Sequence, residues 1–123
     1  MSHWVILFVA ICTLGVRARA QTPRLEPTDT VAVERLASTL TGRLLDGIPM
    51  DSVRMHRARK IVLKALYSQL RVTQETPNAT FTYFQLQHKR DLAVRALVVN
   101  RKAREQFDRN AAALITAWAP VVR

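Results

Sequence analysis

The sequence predicts an all-α protein of four helices in an extended or bundle-like arrangement. Apolar residues recur at three- and four-residue steps in four successive segments, and proline-containing or polar breaks separate these segments. No segment alternates apolar and polar residues for long enough to indicate a strand. We therefore expect one helical domain, which spans residues 28–123.

An export signal precedes this domain. Trp4 to Val16 form an apolar run, and the three residues that end at Ala20 include the small side chains that a signal peptidase needs. The run is shorter than the ~20 residues of a membrane-spanning helix, so we expect cleavage after Ala20. Residues 1–20 are thus a cleavable signal peptide, residues 21–27 form a flexible leader with two prolines, and the expected location is periplasmic or secreted.

The expected mature chain is strongly basic. The full chain has 19 lysines and arginines against 9 acidic residues, a formal charge of +10, and loss of Arg17 and Arg19 with the signal lowers it to +8. Such an excess attracts anionic partners, which include unfolded acidic chains, envelope lipids and nucleic acid. Export argues against nucleic acid. Cys12 leaves with the signal, so we expect no disulfide.

The first helix begins near Thr28 or Asp29, either of which can cap it, and Gly47 to Pro49 end it. Its apolar residues follow helical spacing: Val33, Leu36, Ala37, Leu40 and Leu44. The second helix begins after Asp51, a favourable N-cap, and runs to about Val72. Its apolar side holds Met55, Ala58, Ile61, Val62, Ala65, Leu66 and Leu70, and its opposite side is purely cationic, with Arg57, Lys60, Lys64 and Arg71.

A polar loop over residues 73–80 leads to a third helix from about Thr82 to Val98, which we expect to bury Tyr83, Phe84, Leu86, Val94, Leu97 and Val98. Asn100 can cap the fourth helix, and Pro120 stops it. The fourth helix has a narrow apolar stripe of Ala103, Phe107, Ala111, Leu114 and Trp118. Charged pairs at four-residue spacing are expected on its outside: Arg101 with Glu105, Arg104 with Asp108, and Glu105 with Arg109.

The residues that an enzyme requires are missing from the sequence pattern. His56 and His88 lie on different helices without metal-ligand spacing, and there is no glycine-rich phosphate loop or nucleophile elbow. Asp91 beside Lys89 and Arg90 has the pattern of an ordinary surface pair rather than of an acid catalyst. We expect no catalytic residue, no metal and no cofactor.

Two helix starts share a pattern. Residues 48–54 and 98–104 each place an apolar residue directly before a capping residue, Asp51 or Asn100, after which a helix begins. This pattern resembles the LTxxQ repeats of the Spy/CpxP family of small periplasmic helical proteins, in which a Leu-Thr pair opens a helix and a Gln lies in its first turn. The frame fits residues 44–71 and 97–118.

Both helix starts depart from the family pattern at the threonine and glutamine positions. Asp51 and Asn100 replace the threonine and keep its capping role, whereas Arg54 and Ala103 replace the glutamine and lose the side-chain amide. The resemblance implies a curved, often antiparallel homodimer that holds partly unfolded clients without ATP, or that reports envelope stress to a partner. A dimer would also bury apolar surface that so small a core leaves exposed.

From this we expect a client-binding surface for unfolded or acidic proteins. Five cations would attract the client, and four further residues would offer it apolar contact: Arg54, Arg57, Lys60, Lys64 and Arg71, then Met50, Met55, Tyr67 and Phe84. A concave wall lined by these cations would favour client holding, and cations directed to open solvent on a closed bundle would remove most of its support. The alternatives are a regulator that docks on the periplasmic domain of a stress or metal sensor, and an amphipathic protein that binds a membrane surface.

Overall fold

The computed structural model describes residues 25–73 and 75–115, and these form four α-helices without a strand. The helices are α1 (Thr30–Leu44), α2 (Ser52–Leu70), α3 (Ala79–Arg95) and α4 (Arg101–Ala113). The predicted all-α class and the number of helices are confirmed. The predicted signal peptide, the start of the leader and Trp118 lie outside the described residues.

The N-termini of three helices are capped by side chains. The Oδ1 atoms of Asp29 and Asp51 accept hydrogen bonds from the backbone N–H of Ala32 and Arg54, and Asn100 does the same at the start of α4. Each cap satisfies backbone N–H groups that have no partner within the helix, as the short polar side chains in the sequence predicted. After α1 the chain turns through Gly47, whose φ of 74° is a conformation that glycine adopts without steric cost.

The third helix begins and ends three residues earlier than the sequence predicted, at Ala79 and Arg95 instead of Thr82 and Val98. Asn78 precedes it in a left-handed conformation with φ of 52° and makes no side-chain cap. The first turn contains Thr80, whose branched side chain lowers helix propensity. Packing of Ala79 against the cluster formed by Val72 and Tyr83 overrides that local preference.

The central helix is α2, which packs along both α1 and α3, while α4 packs less extensively against α1 and α3. All four helices contribute to the main core, in which Phe107 is 1 % exposed. The buried residues of this core include Leu25, so part of the predicted leader packs against the domain. The members from the helices are Val33, Ala37, Leu44, Ala58, Val62, Leu66, Leu70, Val94, Phe107 and Ala111.

Helix α4 is fixed to the ends of α1 and α3 by polar side chains. Asn110 Nδ2 donates to the backbone oxygens of Leu44 and Asp46 at 3.0 and 2.9 Å. The Arg95 guanidinium donates to both carboxylate oxygens of Asp108, at 2.9 and 3.3 Å. The Asn110 contacts satisfy carbonyls at and just after the C-terminus of α1, and the Arg95–Asp108 pair joins α3 to α4.

The charged pairs predicted on α4 are correct only in part. Arg101 lies 3.7 Å from Glu105, as predicted. Arg104 instead donates from Nε to the backbone oxygen of Val98, and the predicted partner Asp108 is taken by Arg95 of α3. The third predicted pair is not formed either, because Arg109 donates to Gln106 Oε1 of the same helix at 2.7 Å and not to Glu105.

Candidate functional site

Exposed cations without a neighbouring acid in the sequence are concentrated on α2 and its C-terminal cap. Residues 52–71 contain six lysines and arginines and no acid. The buried row of α2 includes Ala58, Val62 and Leu66, and the five predicted client-binding cations are exposed on the remainder of the helix. We call these five residues the α2 cationic face: Arg54, Arg57, Lys60, Lys64 and Arg71.

Most of this face has no counter-charge. Within the described residues, Arg54 alone of the five forms an ion pair, with its Nε 3.5 Å from Asp51 Oδ2. The other four have no carboxylate oxygen within 4.0 Å in that part of the structure. Their charge therefore acts on the surroundings of the protein and is not neutralised internally. They face solvent on the side of α2 away from the core.

The structure divides the four predicted apolar contact residues into two groups. Met50 and Tyr67 are half-buried and pack against the main core, so they stabilise the fold. Met55 and Phe84 are exposed. The prediction that Phe84 is buried is wrong, because Phe84 lies at the edge of the inward side of α3, whereas Tyr83 and Val94 of the same predicted set are buried. Met55 likewise lies outside the core although it was assigned to the apolar side of α2.

The positions that resemble a repeat have matching geometry at both helix starts. Asp51 Oδ1 accepts from Arg54 N at 2.8 Å, and Asn100 Oδ1 accepts from Lys102 N at 2.8 Å and from Ala103 N at 3.4 Å. At both helix starts the capping side chain therefore accepts from the backbone N–H of the residue that stands where the LTxxQ pattern has glutamine. This contact is a backbone interaction, so it requires no side-chain amide at Arg54 or Ala103.

An apolar stripe on α3 was missed by the sequence prediction. Phe81 is 62 % exposed, Phe84 39 % and Leu92 55 %. Phe81 and Leu92 lie on the side of α3 opposite the buried Tyr83 and Val94, and Phe84 lies on the flank between the two sides. We call Phe81, Phe84 and Leu92 the α3 stripe. The helical spacing of residues 81, 84, 88 and 92 indicates in the sequence that they share one side of a helix. The inner row at residues 83, 87, 90 and 94 has nearly the same spacing.

The inner row of α3 includes two polar residues that the sequence did not identify as buried, Gln87 and Arg90. Arg90 Nε donates to Asp91 Oδ1 at 2.9 Å, while its Nη2 is buried without a hydrogen-bond partner. Burial raises the pKa of Asp91 above its usual range, although the positive charge and hydrogen bond of Arg90 and the nearby His88 act in the opposite direction. The predicted surface pair is therefore a mostly buried one.

Residues 25–73 and 75–115 contain neither a metal centre nor a membrane span. No group of three or more histidine, cysteine, aspartate or glutamate side chains is arranged to hold a metal ion there. In the same part of the chain, no helix combines the length and the apolar character needed to cross a membrane.

Comparison with protein-family models gave no match, and neither curated proteins nor solved structures gave a significant match to this chain.

Proposed function

We propose that this protein binds acidic, flexible polypeptides outside the cytosol through the α2 cationic face, in the manner of an ATP-independent chaperone or envelope-stress protein. The observation that supports the proposal is the run of exposed cations without a counter-charge. A binding surface of this kind attracts clients over roughly the Debye length, about 10 Å at 0.1 M salt. It needs no nucleotide and no bond chemistry.

The orientation of the cations determines the form of the mechanism. They face open solvent, and this weakens a mechanism in which a concave wall encloses the client. We propose instead that a client lies along the exposed helix, held by several weak charge contacts that exchange rapidly. Exposed pairs of this type contribute about 0.2–1 kcal/mol each, so binding requires many contacts and an extended, multiply acidic client.

The test is suppression of the aggregation of a chemically denatured acidic protein. The variant Arg57→Glu, Lys60→Glu and Lys64→Glu reverses three charges on the face. The matched control Arg35→Glu, Arg43→Glu and Lys102→Glu makes the same change in net charge at three exposed positions on α1 and α4. The proposal predicts lost protection for the first variant and near-normal protection for the second.

Salt provides an independent check of the same proposal. Protection by the wild-type protein should weaken as the salt concentration rises, because exposed charges are screened. Equal protection by all three proteins, or protection that does not depend on salt, would remove the α2 cationic face from the mechanism. An equal loss in both variants would mean that total charge matters and the location of the charge does not.

A further inference from the structure

Helix α3 carries large apolar side chains outside its buried row. Its inner side packs Tyr83 and Val94 into the two core clusters, and its outer side carries the α3 stripe. Three of the eight large apolar side chains that are exposed in the described residues lie on this one face, and the other five are distributed over α1, α2, the connection before α4 and the end of the described chain. The clustering indicates a surface that another molecule covers.

The shape of the α3 stripe indicates what kind of molecule that is. Phe81, Phe84 and Leu92, with His88 between them, follow one side of the helix at steps of three and four residues. They occupy an arc of about 100° and extend over about 16 Å, or three helical turns. A row of this width and period fits the ridge of another α-helix. Binding to a flat membrane surface requires a wider apolar area. The polar side chains of Gln85 and His88 lie beside or within this arc and make it too narrow.

The charge around the stripe determines the polarity of the partner. Lys89 is exposed beside it, and Asp91, the only acid of α3, is mostly buried against Arg90. The neighbouring α2 contains no acid either, so no carboxylate of these two helices other than Asp91 offsets the charge of Lys89. A second copy of this chain would bring like charge to the same place, because the chain has a formal charge of +10. An acidic partner is attracted to it.

We infer that the α3 stripe is the docking site for an acidic amphipathic helix of a partner protein. Apolar side chains of that helix, such as leucines, cover Phe81, Phe84 and Leu92, and its flanking carboxylates face Lys89. This interaction is with a formed helix at one defined surface, and it is independent of the proposed holding of flexible chains. The stripe supplies the apolar contact that determines specificity, and the surrounding cations accelerate association.

The probe for the test is a fluorescein-labelled acidic peptide with leucines at three- and four-residue steps and glutamates on both flanks. A second peptide has the same composition in an order that forms no apolar face. The stripe variant is Phe81→Gln with Leu92→Gln, and the matched control is Val31→Gln with Val99→Gln, which removes two exposed apolar side chains elsewhere. Fluorescence anisotropy measures the dissociation constants, and circular dichroism verifies that all variants are folded.

The inference predicts that the stripe variant binds the amphipathic peptide about ten-fold more weakly, that the control binds it within about two-fold of wild type, and that the reordered peptide binds weakly to all. Equal binding by the stripe variant, or equal binding of both peptides, would overturn it. A different occupant would also overturn it. That result would be an absence of peptide binding together with a homodimer in sedimentation, or retention on anionic vesicles, that the stripe variant abolishes. The charge-reversal variant of α2 tests the proposed function separately, because it leaves the stripe intact.

Discussion

Two phenylalanines in opposite environments allow a quantitative test of the fold. Phe107 of α4 is 1 % exposed and contacts a core built from all four helices, whereas Phe81 of α3 is 62 % exposed. Truncation of each to alanine removes the same atoms. The difference between the two losses of stability therefore measures the difference in burial.

The magnitudes follow from the buried area. A fully buried phenylalanine removes roughly 200 Å² from water at about 25 cal/mol per Å², and measured replacements of such residues by alanine cost about 3–5 kcal/mol. For Phe81 the buried share is about two-fifths, which gives roughly 2 kcal/mol as an upper bound. The higher helix propensity of alanine returns about 0.5 kcal/mol, so we expect a net loss of about 1 kcal/mol or less.

Urea denaturation followed by far-ultraviolet circular dichroism is the assay, with the midpoint and slope fitted for each protein. We expect Phe107→Ala to be several-fold more destabilising than Phe81→Ala, and to lower the melting temperature by more than about 15 °C, given that a small domain loses about 4–8 °C per kcal/mol. Equal losses for the two variants would refute the reasoning. They would mean either that α4 does not complete the core or that the α3 stripe is already covered within the protein.

Three further predictions concern polar contacts. Asn110→Ala should lower the free energy of unfolding in urea by about 1–3 kcal/mol, because it leaves two carbonyls at the end of α1 without their donor. A smaller loss than that of an exposed control such as Ser38→Ala would contradict the contact. Asp51→Ala and Asn100→Ala should each cost about 1 kcal/mol through loss of a helix cap, whereas Asn78→Ala should lack this term because Asn78 makes no cap hydrogen bond. The pKa of Asp91 is raised in the folded protein, so the folded state binds its proton more tightly, and the stability contributed by this group should fall as pH rises from 3.8 through the raised pKa. Unfolding across the acidic range should show this slope in wild type and a flatter one in Asp91→Asn, and identical slopes would count against it.

The α2 cationic face could be predicted because it depends on local sequence alone. Acids are absent from residues 52–71, so no fold of that segment can pair its cations internally, and their helical spacing places them away from Ala58, Val62 and Leu66. The caps at Asp51 and Asn100 are equally local, since each contact spans two or three residues. Contacts of such short range are encoded in neighbouring residues, and the sequence prediction of both caps is therefore correct.

The assignment of Phe84 to the core was wrong for a specific physical reason. Periodicity predicted the inward side of α3 correctly, because Tyr83 and Val94 are buried and Leu86 packs against the smaller cluster. It does not determine how wide the buried side is, and Phe84 lies about 100° around the helix from Tyr83, at the edge of that side. The width is set by Val72 and by the main core, which bury the polar Gln87 and Arg90 in the same row.

The amino-acid sequence by itself determined that this protein is helical, where three of its helices are capped, and that α2 presents unpaired positive charge, because these properties depend on residues within one or two turns of each other. The tertiary structure decided that Phe84 is left at the edge of the buried side of α3, that Arg95 reaches Asp108 of another helix, and that Phe81 and Leu92 remain exposed. Burial is a property of neighbours that are distant in the chain. It is therefore settled only when the helices pack.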